Sequence, residues 1–70
     1  MKNHIQELRK LHNLSQEKLA HAVGTTRQTI TSIETGKYTA SLPLAFKIAR
    51  FFHKSIEEVF EYCKEEDSYE

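Results

Sequence analysis

The 70-residue chain has a single cysteine, Cys63, so it cannot form an internal disulfide. Its four histidines are not spaced with that cysteine, or with one another, as the ligands of a structural zinc site would be. A chain of this size lies near the lower limit for a self-sufficient core and often depends on such links or on oligomerisation. We therefore expect its stability to come from close helix packing, from self-association, or from both.

Long apolar runs are also absent from the sequence. The opening segment MKNHIQELRK contains no stretch typical of a signal peptide, and no run is long enough for a helix that spans a membrane. We therefore expect a cytoplasmic protein without a membrane partner.

Groups of residues typical of catalysis are equally scarce. Cys63 lies among acidic residues, which disfavour the thiolate that a nucleophile needs. No serine, histidine and carboxylate follow an order that suggests a triad, and the histidines fall in different predicted helices: His4, His12, His21 and His53. We predict that the chain is not an enzyme and that it binds no metal, cofactor or small-molecule substrate.

The charges are unevenly distributed along the chain, although the formal net charge is zero. Residues 1–54 contain nine basic and three acidic residues, whereas residues 55–70 contain one lysine and seven acidic residues. The local field, rather than the net charge, steers a charged ligand, so the basic part favours a polyanionic partner. The acidic end can equally serve only to keep the chain soluble. We predict one domain over residues 1–62 and an acidic tail over 63–70.

Capping and stop residues divide the chain into five segments with apolar residues at helical spacing. Four segments follow a residue whose side-chain oxygen suits a helix N-cap: Ser15, Thr26, Ser41 and Ser55. Three end at a residue that tolerates the left-handed conformation: Asn13, Gly24 and Gly36. The pattern predicts an all-α fold of five helices, with a short extended segment as a further option near Tyr62.

The apolar residues of these segments predict which faces are buried. The first helix is expected to bury Ile5, Leu8 and Leu11. The fourth has the broadest apolar face and is expected to be the most buried, through Leu42, Ala45, Phe46, Ile48, Ala49 and Phe52. The fifth opens with a Ser55–Glu58 capping box and presents Ile56, Val59 and Phe60.

The second and third helices form a pattern of their own. A tight turn at Gly24 separates them, and the small residue Ala20 lets the third helix cross close to the second. Four apolar residues are expected to hold the two helices together: Leu19, Val23, Ile30 and Ile33. This is the sequence pattern of a helix-turn-helix motif. With the two isoleucines buried, positions 27, 28, 31 and 32 of the helix over residues 27–34 must face outward.

The run SQEKLAHAVGTTRQTITSIETGKYTASLPLAFKIARFF, continued by SIEEVF, resembles the Cro and lambda-repressor-like (XRE) family of DNA-binding proteins. The resemblance covers roughly residues 3–60 and rests on many positions at fixed spacing. It implies a five-helix lambda-repressor-like domain whose third helix lies in the DNA major groove. Thr25 replaces an aliphatic β-branched residue of the family pattern and Ala40 a proline, which should weaken the turn into the third helix and loosen the loop into the fourth.

The outward positions supply candidate DNA contacts. Arg27 and Gln28 lie at the helix N-terminus, where such motifs touch base edges; arginine suits guanine and glutamine suits adenine. The family pattern places the shorter side chains of Thr29 and Ser32 nearby. Phosphate contacts are expected around them, from Gln16 with the first N–H groups of the second helix, and from Thr26, Thr35, Lys37 and Tyr38. For Gln16, and for Lys37 with Tyr38, the alternative is an ordinary surface position.

Two further sets of residues are predicted to hold the protein together. In relatives, the positions of Arg9 and Glu34 commonly hold an ion pair that links the first helix to the end of the third. One recognition helix covers only a few base pairs, so we expect a homodimer on a palindromic operator. The candidate dimer interface consists of Ile56, Val59, Phe60 and Tyr62, with Phe51 as a further candidate. The alternative is that these residues only complete the monomer core.

These observations predict a sequence-specific regulator that binds double-stranded DNA. Repression by occupancy is favoured over activation, because the 70 residues include no effector domain. The alternative is a protein-interaction module of the same fold, of the antitoxin or anti-repressor type. Hydrogen-bond donors on both flanks of the third helix favour DNA, since a pure protein binder does not need them.

Overall fold

The computed structural model describes residues 2–61, which form five helices and a two-stranded antiparallel sheet. The helices are α1 (Ile5–Leu11), α2 (Gln16–Val23), α3 (Arg27–Glu34), α4 (Leu42–Phe51) and α5 (Ile56–Val59). Strand β1 (Lys2–Asn3) pairs with β2 (Phe60–Glu61), with Lys2 opposite Glu61 and Asn3 opposite Phe60. The predicted five-helix fold is confirmed, with an extended segment two residues long. Tyr62 and the predicted tail, residues 63–70, lie outside the described residues.

Side-chain caps start four of the helices. Each cap oxygen accepts a hydrogen bond from the backbone N–H three residues later, at 3.0–3.3 Å: Ser15, Thr26, Ser41 and Ser55. Glu58 returns the bond to the backbone N–H of Ser55 at 2.8 Å, which completes the capping box. This backbone bond also holds the pKa of the Glu58 carboxyl below its usual value. The caps predicted from the sequence are all present.

The first four helices end in the same backbone arrangement. A residue with positive φ follows each helix: Asn13, Gly24, Gly36 and His53. The next N–H then donates to the carbonyl five residues earlier, at 2.8–2.9 Å, as in a Schellman motif. The sequence pattern predicted the first three stops but missed His53, because histidine adopts the left-handed conformation far less readily than glycine.

One hydrophobic core is built from all five helices. The fully buried members include Ile5 of α1, Leu19 of α2, Ile30 of α3, Ile48 of α4 and Val59 of α5. Helices α2 and α3 make the most extensive contact between any two elements. Ala20 of α2 is also buried, as expected where two helices cross closely.

Three residues predicted to be buried lie at the surface instead. Leu11 is 77% exposed, Leu42 is 64% exposed and Phe46 is 51% exposed. Leu11 follows Ile5 by six residues, a rotation that carries it off the buried face, whereas Arg9, four residues after Ile5, is buried. In α4 the buried stripe is Ala45, Ile48 and Ala49, so α4 is not buried all round.

His4 joins the start of α1 to the strand at the other end of the described chain. Its backbone N–H donates to the carbonyl of Val59 at 2.8 Å. Its ring lies between two carboxylates, with Nδ1 2.7 Å from Glu7 Oε1 and Nε2 2.6 Å from Glu61 Oε2. The hydrogen bond to Glu7, and then that to Glu61, raise the pKa of His4 above 6.5. Only the imidazolium can donate to both carboxylates at once.

We predict that this ring makes stability depend on pH. Because the folded pKa is raised, the stabilisation is fully present below about pH 6.5 and is lost as the pH rises through the folded value. Urea unfolding of the wild-type chain and of His4→Gln, between about pH 5 and 9, should therefore give a difference that shrinks with rising pH. Glu7→Gln, which removes the first carboxylate, should weaken that dependence. A difference that stays constant across the range would contradict the assignment.

Candidate nucleic-acid interface

The outer face of α3 is exposed because its two isoleucines point into the core. Ile30 is fully buried and Ile33 nearly so. Arg27 and Gln28, in the first turn, are exposed at the opposite side. Only Gly24, Thr25 and Thr26 separate α2 from α3, so the turn is as tight as the sequence predicts.

Several predicted contact residues come together in one shallow depression. It has a volume of about 280 Å³ and is lined by Thr26, Gln28, Thr29, Ser32 and Tyr38. The hydroxyls of Thr26 and Thr29 lie 2.9 Å apart and bond to each other, so the helix cap itself occupies part of their hydrogen-bonding capacity. The depression therefore combines side chains of α3 and its N-cap with one from the loop that follows the helix.

The loop after α3 is held against the helix by the carbonyl of Ser32. The backbone N–H groups of Lys37 and Tyr38 donate to it at 2.9 and 3.2 Å, and the hydroxyl of Thr35 donates to it at 3.2 Å. These bonds place the exposed side chains of Lys37 and Tyr38 beside α3. The Thr35 hydroxyl already uses its one proton in this bond, so it is a poorer phosphate donor than the sequence suggests.

On the opposite flank, Gln16 begins α2 and reaches α3. Its Nε2 donates to Glu34 Oε1 at 3.0 Å, and its Oε1 accepts from the Thr31 hydroxyl at 3.0 Å. The uncapped N–H groups at the start of α2 lie at the same end of that helix. Polar donors therefore flank α3 on both sides.

Arg9 and Glu34 form a buried, bidentate ion pair. Arg9 Nε lies 2.6 Å from Glu34 Oε2, and a terminal guanidinium nitrogen lies 3.1 Å from Oε1. Only 11% of the arginine side chain and 6% of the glutamate side chain are exposed. Arg9 also donates to the carbonyl of Leu14 at 3.0 Å, in the turn between α1 and α2. The pair joins α1 to the end of α3. Every buried side-chain N or O of residues 2–61 has a hydrogen-bond partner.

Two residues near the interface have roles that the sequence analysis missed. Asn3 Nδ2 donates to the carbonyl of Ile33 at 2.9 Å and ties β1 to the last turn of α3. Thr31 bonds Gln16, although only its outward position was recognised from the sequence. No local pattern indicates the Asn3 contact, because 30 residues separate its partners.

The predicted dimer residues are divided between the surface and the core. Ile56 and Phe60 are half-buried and line an apolar groove of about 240 Å³ with Ala40, Leu42 and Ala45. Val59 is fully buried within the single chain, so its side chain cannot touch a second copy and the prediction for that residue is corrected. Tyr62 lies outside the described residues. Phe51 lies in a separate depression lined by residues of α2 and α4.

The described part of the chain contains neither a helix that could cross a membrane nor a cluster of metal-ligating residues. No helix in residues 2–61 has the length and apolar character needed to cross a bilayer. In the same part of the chain, no three histidine, cysteine, aspartate or glutamate residues are grouped so that they could hold a metal ion.

Helices α2 and α3 pack together across a tight turn, and the polar outer face of α3 is exposed. This arrangement defines a helix-turn-helix DNA-binding domain. Residues 5–59 match the helix-turn-helix family, and the chain belongs to that family. The predicted resemblance to the Cro and lambda-repressor-like (XRE) regulators is confirmed. The chain is therefore a transcriptional regulator with a helix-turn-helix domain, in a class that is not enzymatic.

Individual relatives agree with this assignment. The chain is 56% identical over 66 residues to an uncharacterised HTH-type transcriptional regulator of Methanocaldococcus jannaschii, covering 94% of this chain and 100% of that protein. It is 52% identical over 60 residues to the uncharacterised HTH-type transcriptional regulator YgzD of Bacillus subtilis, covering 86% and 91%. Among solved structures, it is similar to the restriction-modification controller protein C.AhdI from Aeromonas hydrophila, with a TM-score of 0.73, 34% identity and coverage of 80% and 85%.

We predict that the ion pair is essential to the stability of the domain. Glu34→Ala should lower the free energy of unfolding by about 3–5 kcal/mol, because it leaves the buried Arg9 guanidinium without its counter-charge. Replacing both partners by apolar residues, Arg9→Met with Glu34→Leu, should cost less than Glu34→Ala alone. Urea unfolding monitored by circular dichroism measures both variants. An unchanged free energy of unfolding for Glu34→Ala would remove the structural role.

Proposed function

We propose that the chain is a sequence-specific repressor that inserts α3 into the major groove of a palindromic operator and binds it as a homodimer. The observation that carries the proposal is the exposed first turn of α3, Arg27 and Gln28, with donors on both flanks of the helix. The major groove of B-DNA is wide and deep enough to admit an α-helix.

Base recognition falls mainly to the two long side chains of the first turn. The guanidinium of Arg27 matches the two acceptors of guanine, and the amide of Gln28 matches the donor and acceptor of adenine. Thr29 and Ser32 line the same depression as Gln28, but their side chains are short and half-buried. Their contribution to base recognition is therefore limited to bases that Arg27 and Gln28 bring close to the helix.

Phosphate contacts position α3 without specifying sequence. Lys37 supplies the positive charge and Tyr38 a hydroxyl on one side, while Gln16 and the start of α2 supply neutral donors on the other. Thr26 and Thr35 flank the same surface, with hydroxyls that are already engaged within the protein. The acidic residue of α3, Glu34, is paired with Arg9, so we expect it not to repel the DNA backbone.

The apolar groove between α4 and α5 supports the homodimer. Ile56 and Phe60 lie in it, as does Leu42, whose side chain is 64% exposed. Phe46, one turn after Leu42 and 51% exposed, extends the same flank of α4. Large apolar side chains at this exposure favour contact with another protein surface, and a second copy on a two-fold axis would bury the same residues from both chains.

Affinity selection from a random duplex pool at about 50 mM salt tests the function. We expect enrichment of an inverted repeat whose half-sites lie about 34 Å apart, one turn of the double helix. Such a site would establish a dimeric regulator and identify its operator. Recovery of nothing above background would instead favour a protein-interaction module of the antitoxin or anti-repressor type.

A matched variant separates dimerisation from DNA reading in this selection. Leu42→Lys places like charges opposite each other in the proposed interface, and its positive charge does not repel DNA. We expect this variant to enrich single half-sites at most. Enrichment of an unchanged inverted repeat would place the dimer contact elsewhere.

Arg27 and Lys37 should affect binding in different ways. Arg27→Ala is expected to cost about 1–3 kcal/mol per half-site of the selected operator and to relax the preference at one base position in each half-site. Lys37→Ala should weaken binding to every sequence alike and reduce the salt dependence by about one counterion for each protomer bound. Titrations of operator and unrelated duplexes at several salt concentrations measure both. A sequence preference set by Lys37 would mean that α3 is not the reading element.

A further inference from the structure

Gln16 lies in the middle of a hydrogen-bonded chain that runs from the core to the outer face of α3. The Arg9 guanidinium donates to both oxygens of Glu34. Gln16 Nε2 lies 3.0 Å from Glu34 Oε1, and Gln16 Oε1 lies 3.0 Å from the hydroxyl of Thr31. The amide is therefore held at both ends, by residues of the same helix.

The direction of each bond in this chain follows from the chemistry of Glu34. The glutamate pairs with Arg9 as a carboxylate, which can only accept hydrogen bonds. The end of the Gln16 amide that faces it must therefore be the NH₂ group, and the carbonyl end must face α3. Since an amide carbonyl can only accept, the Thr31 hydroxyl has to be the donor in the last bond.

This arrangement leaves one donor of Gln16 available. The NH₂ group carries two N–H bonds, of which Glu34 takes one. Among residues 2–61, Glu34 is the one acceptor to which this NH₂ group is bonded. Gln16 is the first residue of α2, so this second N–H lies at the helix end where unpaired backbone N–H groups favour an anion.

We infer that Thr31 is a positioning residue, whose hydroxyl orients the Gln16 amide so that its second N–H donates to a DNA phosphate. The inference rests on the proposed function and adds to it a link between the base-reading helix and the phosphate contact on α2. The amide can rotate about its terminal torsion, which is soft. Glu34 holds only the NH₂ end of the amide. The bond from Thr31 holds the carbonyl end and so restrains the rotation of the amide.

The competing role of Thr31 is local to its own helix. The same hydroxyl lies 3.1 Å from the carbonyl of Arg27, four residues earlier, and threonine often makes this bond in a helix without further purpose. With one proton and two acceptors, the hydroxyl shares the proton between them. Only an effect that passes through Gln16 distinguishes the positioning role.

Thr31→Val tests the inference, because valine has the shape of threonine without the hydroxyl and a similar helix propensity. Operator titrations should show binding weakened about three- to tenfold, as expected for one neutral hydrogen bond. Unrelated duplexes should weaken by the same factor, and the dependence on salt should not change, because no cation is lost. Thr31→Ser keeps the hydroxyl and should bind like the wild-type chain.

Gln16→Ala supplies the decisive background. In Gln16→Ala, adding Thr31→Val should change affinity less than twofold, whereas two independent contacts would give multiplied losses. A full three- to tenfold loss in that background would overturn the positioning role. A changed base preference in Thr31→Val would also overturn it, since Thr31 would then touch a base itself.

A measurement without DNA keeps the inference separate from the proposed function. The Gln16 side-chain NH₂ group gives two proton resonances in a ¹H–¹⁵N spectrum, and the bond to Glu34 should keep them well apart. Their separation should fall in Thr31→Val and persist in Thr31→Ser. An unchanged spectrum in Thr31→Val would overturn the inference, even if the wild-type chain binds its operator. If the wild-type chain binds no duplex at all, the proposed function fails, and with it the phosphate part of the inference.

Discussion

The buried carboxylate of Glu34 is the point on which the DNA-facing surface depends. It accepts from Arg9 of α1 and from Gln16 of α2 while it belongs to the last turn of α3. A carboxylate with 6% of its side chain exposed must keep these donors, since burying it unpaired costs several kcal/mol. The end of α3 and the start of α2 are therefore fixed relative to each other.

Another part of the surface is apolar and lies along the outer flank of α4. The buried stripe of α4 is narrow, and small alanines occupy two of its three positions. Leu42 and Phe46 therefore remain exposed. Leu42 lies beside Ile56 and Phe60 in the α4–α5 groove. The domain exposes apolar residues on the flank of α4 and polar donors beside α3. This separation supports a regulator that binds as a dimer.

Local sequence chemistry predicted much of the framework but not its long-range contacts. Serine and threonine caps, the two glycine stops and the inward isoleucines of α3 were all readable, because each acts within about one helical turn. His53 was missed as a stop, since histidine has only a weak preference for the left-handed conformation that it adopts there. The outer residues of α4 were misplaced because an apolar side chain indicates burial only when a neighbouring element covers it. The sheet between β1 and β2 joins residues nearly 60 positions apart and leaves no local trace.

The sequence by itself determined the class of protein: five helices, four of them with side-chain caps, a tight α2–α3 turn and polar side chains where α3 faces outward. These features depend on helical periodicity and on residues close together in the chain. Only the tertiary structure decided which of the polar residues act together. Gln16 meets Thr31 and Glu34, Asn3 meets the end of α3, and His4 meets Glu61. Such contacts arise from how the helices cross, and hydrogen bonds require donor and acceptor within about 3 Å, a condition that sequence spacing alone does not encode.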